Sequence, residues 1–350
     1  MKKIIMNNKP TATLHQKTSI QKFRFYSQLF AVAINLWIGI QFYLFVKQLN
    51  GSGFIVKVPR PSGVEGWLPL SSLVSLRYWF ETGIVNNIHP AGLIILIAIV
   101  LSAFFFKKGF CSWVCPIGFI SEMLGDISDK IFKRRLKLPA WLDYPLRSIK
   151  YILLGFFIYA IFFQMTSMSI GQFLNSTYNK AADILMLRFF TDISMFALVT
   201  ILLLFFLSLI LRGFWCRYLC PYGALLGIMG LLSPTRIIRN EKSCINCSAC
   251  ARVCPAFIKV DKIKEVHSDE CSGCMACVDS CPVSETLQIH VVTKKRRLSK
   301  VKWAVLLVIF FWGVLLLFKL WGPWNNSISV QEYRHYLPVV NKGQLNHPAY

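Results

Sequence analysis

The 350-residue chain predicts a mainly α, polytopic membrane protein. About five transmembrane helices, two short re-entrant or interfacial helices and one small cytoplasmic α+β module are expected. Three observations predict this class. Hydrophobic residues make up 55% of the chain and mean hydropathy is +0.51, above the roughly 45–50% apolar share of a soluble domain. Five apolar stretches are long enough, or nearly so, to cross a bilayer. The twelve cysteines fall in two dense runs and two shorter motifs instead of being scattered.

Taken in chain order, residues 1–27 form a basic tail expected in the cytoplasm. The expected spans are about 28–49, 91–106, 151–165, 191–211 and 301–321. A span needs about 20 apolar residues, with a lower limit near 17. The second and third therefore need flanking residues such as His89–Pro90 and Thr166–Ile170. The stretch 28–49 exceeds the roughly 7–15 apolar residues of a signal peptide, and no A-x-A-like site closes it, so an uncleaved anchor is expected. With the N-terminus inside, the inner segments carry 29 and the outer segments seven of the 39 Lys and Arg residues. Positive charge crowds the cytoplasmic loops of membrane proteins. That asymmetry accounts for the formal net charge of +23, so no nucleic-acid partner is expected. Lys294–Lys295–Arg296–Arg297 forms an inner anchor before the last span. The expected organisation is a membrane domain over 28–236 holding four spans, a cysteine-rich module over 237–290, the fifth span at 301–321 and a short exported tail over 322–350. Lipid of the bacterial inner (cytoplasmic) membrane is the first expected partner.

The first cysteine run is Cys244, Cys247, Cys250 and Cys254, followed by Pro255. The second is Cys271, Cys274, Cys277 and Cys281, followed by Pro282. Each reads C-x-x-C-x-x-C-x-x-x-C-P, the ligand spacing of bacterial 4Fe-4S clusters. Zinc sites show paired C-x-x-C units instead, and disulfides do not require this regularity. The pattern occurs twice in full, so two 4Fe-4S clusters are expected, and two clusters make a wire for single electrons. Reduced thiols suit the cytoplasm, and no cysteine lies in a segment assigned to the outside. The module resembles two-cluster bacterial ferredoxins, in which the fourth cysteine of each run serves the other cluster. That resemblance implies one cluster on Cys244, Cys247, Cys250 and Cys281, and the other on Cys271, Cys274, Cys277 and Cys254.

The remaining cysteines form an internal repeat. Gly109-Phe110-Cys111-Ser112-Trp113-Val114-Cys115-Pro116-Ile117-Gly118 follows the second span. Gly213-Phe214-Trp215-Cys216-Arg217-Tyr218-Leu219-Cys220-Pro221-Tyr222-Gly223 follows the fourth. Both contain C-x-x-x-C-P, and an apolar stretch follows each, at 117–124 and 224–232. Proline disfavours helix in the residue before it and is welcome at the first helical position. Cys115 and Cys220 are therefore expected at helix N-caps, where the helix dipole would favour a thiolate. Cys111, Cys115, Cys216 and Cys220 are a candidate third redox or metal site. Redox-active thiol pairs and structural thiols beside a docking surface are the alternatives.

Twin C-x-x-x-C-P motifs together with the two cysteine runs resemble a family of polytopic membrane iron–sulfur proteins of the NapH, NosR and CcoG types. The segment from Gly63 through Trp67–Pro69 and Arg77–Trp79 to His89–Gly92 is similar too. The resemblance covers about residues 28–320. It implies membrane-bound electron transfer between a donor, a quinol or a cytoplasmic reductant, and a respiratory or metal-handling acceptor in the membrane or periplasm. An electron-transfer subunit is expected ahead of a stand-alone oxidoreductase. The alternatives are a membrane metal-ion (copper) reductase and an oxidase-assembly factor of the CcoG type. NosR-type proteins carry a large domain before the spans and CcoG-type proteins an immunoglobulin-like domain after them. Neither is expected in the 27 residues before the first span or the 29 after the last.

Two further sets are candidates for donor and acceptor contacts. Glu65 and His89 stand in the first outer loop, where quinol oxidation needs a proton acceptor. They are candidate quinol-site residues, and tying the loop down is the alternative. Lys259, Lys262 and Lys264 lie between the runs and suit an acidic soluble donor; a solvated charged face is the alternative. Trp321, Trp324, Tyr333, His335 and Tyr336 in the tail are candidates to touch an outside partner, and a membrane edge accounts for Trp321 and Trp324 without one. The sequence has no phosphate-binding loop, no dinucleotide-binding glycine motif and no haem-attachment motif.

Overall fold

A computed structural model describes residues 3–4, 12–13, 20–51, 57–133, 135–291 and 296–341. Most of the basic tail, Lys294–Lys295 of the inner anchor and the last residues of the exported tail lie outside them. Two short paired strands, β1 (Lys3–Ile4) and β2 (Ala12–Thr13), come first. Then follow α1 (Ile20–Leu49), a 3-10 turn at Ser62–Trp67, α2 (Pro69–Thr82), α3 (Pro90–Phe106), α4 (Gly109–Trp113), α5 (Pro116–Phe132) and α6 (Ala140–Tyr159). A π turn at Ala160–Gln164 leads to α7 (Ser167–Asn175), α8 (Thr177–Lys180), α9 (Ala182–Thr191) and α10 (Met195–Ile210). After a second π turn at Trp215–Leu219 come α11 (Pro221–Leu231), β3 (Thr235–Arg239), α12 (Ala249–Val253), α13 (Ala276–Ser280), β4 (Leu287–Val291) and β5 (Arg296–Leu298). Helices α14 (Lys300–Trp321) and α15 (Val330–Asn341) end the described chain.

The structure is mainly helical, and among the described residues it has fewer clear spans than the five expected. Three helical stretches are long and apolar enough to cross a membrane: Ile20–Leu49, Ala140–Gln164 and Lys300–Trp321. Helices α9 and α10 make a fourth if the pair, bent by 75°, counts as one. Helix α3 is strongly apolar but only 17 residues long. At 1.5 Å per residue it reaches about 26 Å, a little short of a hydrocarbon core near 30 Å. The bounds also differ. Helix α1 begins at Ile20 instead of residue 28, because its polar first turns have partners within the fold. The third apolar stretch belongs to a helix that starts at Ala140 and tolerates Pro145, which lies near its start, where a proline removes few helical bonds. The fourth begins at Met195, after the break at residues 192–194.

Two compact units divide the chain. The first comprises Met1–Val32, Ile99–Ile152 and Leu207–Trp312. Its centre is aromatic: the Trp113 and Trp303 rings lie 6.1 Å apart, Trp303 and Phe106 5.8 Å, and Phe110 and Phe311 5.2 Å. Trp113 and Trp303 are buried. An antiparallel sheet in the order β3-β4-β5 closes the cysteine-rich module, with Thr235 opposite Val291 and Ile289 opposite Leu298. Because β3 enters the first cysteine run and β4 leaves the second, their pairing brings the two ends of the module together.

The second unit comprises Ala33–Ala98, Leu153–Phe206 and Gly313–Tyr350. Phe42 and Phe45 of α1 pack there with Ile184 of α9 and Tyr333, Leu337 and Val340 of α15. The tail expected to be short and exported thus contains an amphipathic helix whose apolar face is core. A smaller cluster joins Val74 of α2 to Ile161, Ile170, Phe173 and Leu174.

Candidate functional site

The two cysteine runs fold alike. In the first, Asn246 and Ser248 have φ of 56° and 54°; in the second, Gly273 and Met275 both have φ of 60°. These four left-handed residues occupy equivalent places in the runs. Left-handed backbone is costly outside glycine, so its repetition marks a shape the loops must hold. Each loop ends in a five-residue helix, α12 or α13. Each helix ends on the fourth cysteine, with φ and ψ of −66° and 118° at Cys254 and −69° and 119° at Cys281. Extended backbone there suits the proline that follows each.

Two cavities of about 360 Å³ each, measured with their open mouths, lie in this module. Cys244, Cys247, Cys250 and Cys281 line the first, beside Arg239 and Asp261. Cys271, Cys274, Cys277 and Cys254 line the second, beside Ile237, Val260 and Val266. Each cavity thus draws three cysteines from one run and the last from the other. Four thiols around one hollow are the donor set of a cubane cluster. Backbone groups of Ala256 and Ile258 hydrogen-bond to the Cys254 sulfur, those of Val283 and Leu287 to Cys281, and that of Gly273 to Cys271. Such bonds stabilise thiolates and tune a bound cluster. Burial pushes the Cys254 thiol up to about 11 and Cys277 well above its usual range. Uptake of metal must therefore displace protons from these sulfurs.

The cavities differ in exposure. Cys254, Cys271, Cys274 and Cys277 are all buried, whereas in the first cavity only Cys250 is buried, Cys247 is exposed and Cys244 and Cys281 are partly so.

The twin motifs also repeat in three dimensions. The Cys115 amide donates to the Phe110 carbonyl and the Cys220 amide to the Trp215 carbonyl, each at 2.9 Å. Both second cysteines are helix N-caps in extended conformation with proline following. The Cys220 sulfur accepts from the Gly223 amide at 3.4 Å. A side chain on Gly118 would put its Cβ 2.0 Å from the Cys111 carbonyl oxygen, and one on Gly223 would put it 3.0 Å from that of Cys216. The third residue after each Cys-Pro bond lets the loop fold back on its helix.

The four thiols of these motifs lie within electrostatic reach of one another. Burial is the main influence on each, followed at Cys115 by Cys111 and Cys216 and at Cys216 by Cys220 and Cys111. It pushes Cys111 up to about 11 and Cys216 up to about 12. The sequence predicts lowered values here from the helix dipole; desolvation outweighs that dipole. Among the described residues, no three His, Cys, Asp or Glu side chains are placed to hold a single metal ion. That holds for the ferredoxin-like cysteines as well, so it separates single-ion sites from cluster sites and does not distinguish one cysteine set from the other.

Ion pairs fix these loops. Arg217 donates to both carboxylate oxygens of Asp143, at 3.0 and 2.8 Å, and Tyr218 donates to Asp143 at 2.6 Å. Glu122 pairs with Arg24. Lys150 pairs with Glu270, which Arg147 also meets at 3.2 Å. Sequence reasoning missed these partners, because they lie far apart in the chain and no local motif marks them.

In the second unit, Glu65 and His89 come together. His89 Nδ1 lies 3.6 Å from Glu65 Oε1, and both residues are buried. Arg60 bridges Glu65 at 2.8 Å and Asp183 at 2.7 Å, and Tyr333 donates to Asp183 at 2.9 Å. The Gly92 amide donates to the other Glu65 oxygen at 3.1 Å, and His89 Nε2 lies 2.7 Å from the Asn179 carbonyl. Burial opposes the Arg60 charge, but Asp183 and Glu65 outweigh it and hold its pKa above the usual value. His89 Nδ1 and the Asn179 side-chain oxygen have no hydrogen-bond partner. Asp183, Arg60 and Asn179 were not legible as site residues. Tyr333, expected to touch an outside partner, is buried.

These features define a class: a membrane protein whose cysteine-rich part is arranged for 4Fe-4S clusters. Residues 236–282 match the family described as a 4Fe-4S dicluster domain. Residues 88–139 and 193–239 match the 4Fe-4S binding domain family, and each of those segments contains one C-x-x-x-C-P motif. The Escherichia coli K12 protein YccM is 40% identical over 317 residues, 89% of this chain and 88% of that relative. The ferredoxin-type protein NapH of the same organism is 28% identical over 194 residues, 53% of this chain and 63% of NapH. The regulatory protein NosR of Stutzerimonas stutzeri is 28% identical over 181 residues, 48% of this chain and 22% of NosR. No solved structure matches the chain. The chain belongs to the polytopic membrane 4Fe-4S polyferredoxin family, an iron–sulfur electron-transfer family.

Proposed function

We propose that this protein passes single electrons between a quinol or cytoplasmic reductant and a respiratory or metal-handling partner, through two 4Fe-4S clusters. Cys244, Cys247, Cys250 and Cys281 hold one cluster, and Cys271, Cys274, Cys277 and Cys254 hold the other. The observation that carries this reading is the pair of cavities, each lined by four cysteines drawn from both runs. When bound, the clusters supply one-electron chemistry. The chain's own residues bind and insulate them: the cysteines ligate, the left-handed loop residues wrap each hollow, and the amides at Cys254, Cys271 and Cys281 hold the thiolate form.

The N-terminus and the cysteine-rich module face the cytoplasm in this reading and the C-terminus lies outside, in the bacterial inner membrane. The charge asymmetry supports it. The Cys111, Cys115, Cys216 and Cys220 set is a third redox or metal site. Glu65 and His89 serve a quinol by accepting its protons; their burial, mutual approach and the unpartnered His89 Nδ1 support that role.

The crossed ligand sets give a direct test on purified protein by iron and sulfide counting with electron paramagnetic resonance. Cys244→Ser and Cys281→Ser remove the same signal although they lie in different runs, and Cys254→Ser and Cys271→Ser remove the other. Loss of one signal by Cys244→Ser and Cys254→Ser together would sink the assignment.

A further inference from the structure

The loops of the twin motifs grip the ligand loops of one cavity. Ser112 Oγ donates to the Ser272 carbonyl at 2.6 Å and Trp113 Nε1 to the Gly273 carbonyl at 3.0 Å. Ser112 and Trp113 lie between Cys111 and Cys115, and Ser272 and Gly273 between Cys271 and Cys274. From the other motif, Arg217 donates to the Ala256 carbonyl at 3.2 Å, two residues after Cys254. Gln21 donates to the Cys274 carbonyl at 3.0 Å. Trp303 closes over the same loop, since a Cβ on Gly273 would lie 2.9 Å from its ring. All these contacts reach ligand loops of the buried, second cavity.

Charge points the same way. In the first unit, the buried charged residues among those described are Lys107, Lys108 and Lys150 against Glu270 alone. Partly buried Asp269 and Glu265 also act on these lysines, and buried charge demands a partner. Lys108 acts on Cys111, Cys216, Cys220 and Cys271, Lys150 on Cys111 and Cys220, and Lys107 on Cys271. A cubane with a doubly positive core and four thiolates is a dianion, a charge that these lysines suit.

From these contacts we infer the order of the wire. The twin-motif cysteines hold a thiolate-ligated redox centre, the Cys271/Cys274/Cys277/Cys254 site is the junction beside it, and the Cys244/Cys247/Cys250/Cys281 site is the station that meets a soluble partner. Ser112, Trp113 and Arg217 are the positioning residues of the junction. The inference rests on the cluster assignment proposed above. One electron leaves the reduced centre on one side of the junction and arrives at the oxidised centre on the other, and no bond breaks. The electron comes from a quinol or from a reduced soluble one-electron carrier. Lys259, Lys262 and Lys264 stand exposed in the connecting segment whose Asp261 lines the first cavity, so the soluble carrier presents an acidic face.

The test uses the full chain in lipid nanodiscs. Cys247→Ser and Cys274→Ser first assign the two resonance signals. If neither removes a signal, the cluster assignment itself fails, independently of the order. A water-soluble paramagnetic nickel chelate is then expected to speed relaxation of the Cys247-dependent signal and to spare the Cys274-dependent one. On mixing with a reduced viologen, the Cys247-dependent signal is expected first, the Cys274-dependent signal second, and a signal lost in the Cys111/Cys115/Cys216/Cys220→Ser variant last. Trp113→Leu slows only that last arrival, at least tenfold, with iron content unchanged; Trp113→Phe restores part of the rate. Ser112→Ala gives a smaller slowing in the same step and serves if Trp113→Leu does not fold. Reversed accessibility, absence of a third signal, or an unchanged last step in Trp113→Leu and Ser112→Ala would each overturn the order.

Discussion

The two units differ in the chemistry they bury. All twelve cysteines lie in residues of the first unit, where buried lysines outnumber buried carboxylates three to one among the described residues. The second unit holds no cysteine, and its buried ionisable core is Glu65, Asp183 and His89 around Arg60. Excess positive charge among soft thiolates suits electrons and anionic clusters. Carboxylates and an imidazole suit protons. The lesson is that groups suited to electrons and groups suited to protons are kept in separately built units, so each can be broken without the other.

Substitutions in the first unit should stop electron flow by every route. Cys271→Ser is expected to remove about four irons per chain. It should lower both viologen-linked and quinol-linked transfer by about 100-fold or more, since a missing ligand interrupts the wire. A second, sharper break is Lys150→Met. It removes Glu270's nearest cation while Arg147 stays at 3.2 Å, and should cost about 1–2 kcal/mol. Denaturant melts of the full chain in nanodiscs would show it, and Glu270→Gln in the same background should recover part of the loss. Retained stability in Lys150→Met would mean that the lysine excess is not needed to balance buried negative charge.

The second unit should fail differently. Glu65→Gln is expected to slow quinol-linked reduction by about 10- to 100-fold, the range of one proton-transfer group, while viologen-linked reduction stays unchanged. Equal loss by both routes would erase the distinction between the units. The smallest effect belongs to the exposed lysines. Changing Lys259, Lys262 and Lys264 to Glu should weaken encounter with an acidic carrier by about tenfold at low salt, and the difference should shrink as salt rises. Cluster content should not change.

Legibility in the sequence followed chain distance. The two runs and the twin motifs are local spacings, so their loops, N-caps and repeated turns could be read before any coordinates. The lengths of apolar stretches marked the membrane helices, but not where α1 begins. Gln21, Arg24 and Ser27 look like the polar edge of a span, yet they reach Cys274, Glu122 and Trp113 inside the fold. Glu65 and His89 were legible as ionisable residues in the loop between the first two expected spans. Arg60 with Asp183, 123 positions apart, and Asp183 with Tyr333, 150 apart, were not. Nothing local to Asp183 distinguishes it from an exposed acid at a helix start. The fold of the tail was hidden for a related reason: Tyr333 suits a partner contact as well as the core that it occupies with Leu337. The raised thiols of the twin motifs show the limit of dipole reasoning, because a helix N-cap favours a thiolate only where water or a metal relieves the burial.

Iron and acid-labile sulfide counting, paired with spin quantification, on the wild-type chain and on the Cys111/Cys115/Cys216/Cys220→Ser variant tests the electron-carrying unit most directly. The account predicts about eight irons in the variant, four for each of the two assigned clusters, and in the wild type additional bound metal together with one further resonance signal. Equal iron content and identical spectra in the two proteins would contradict it.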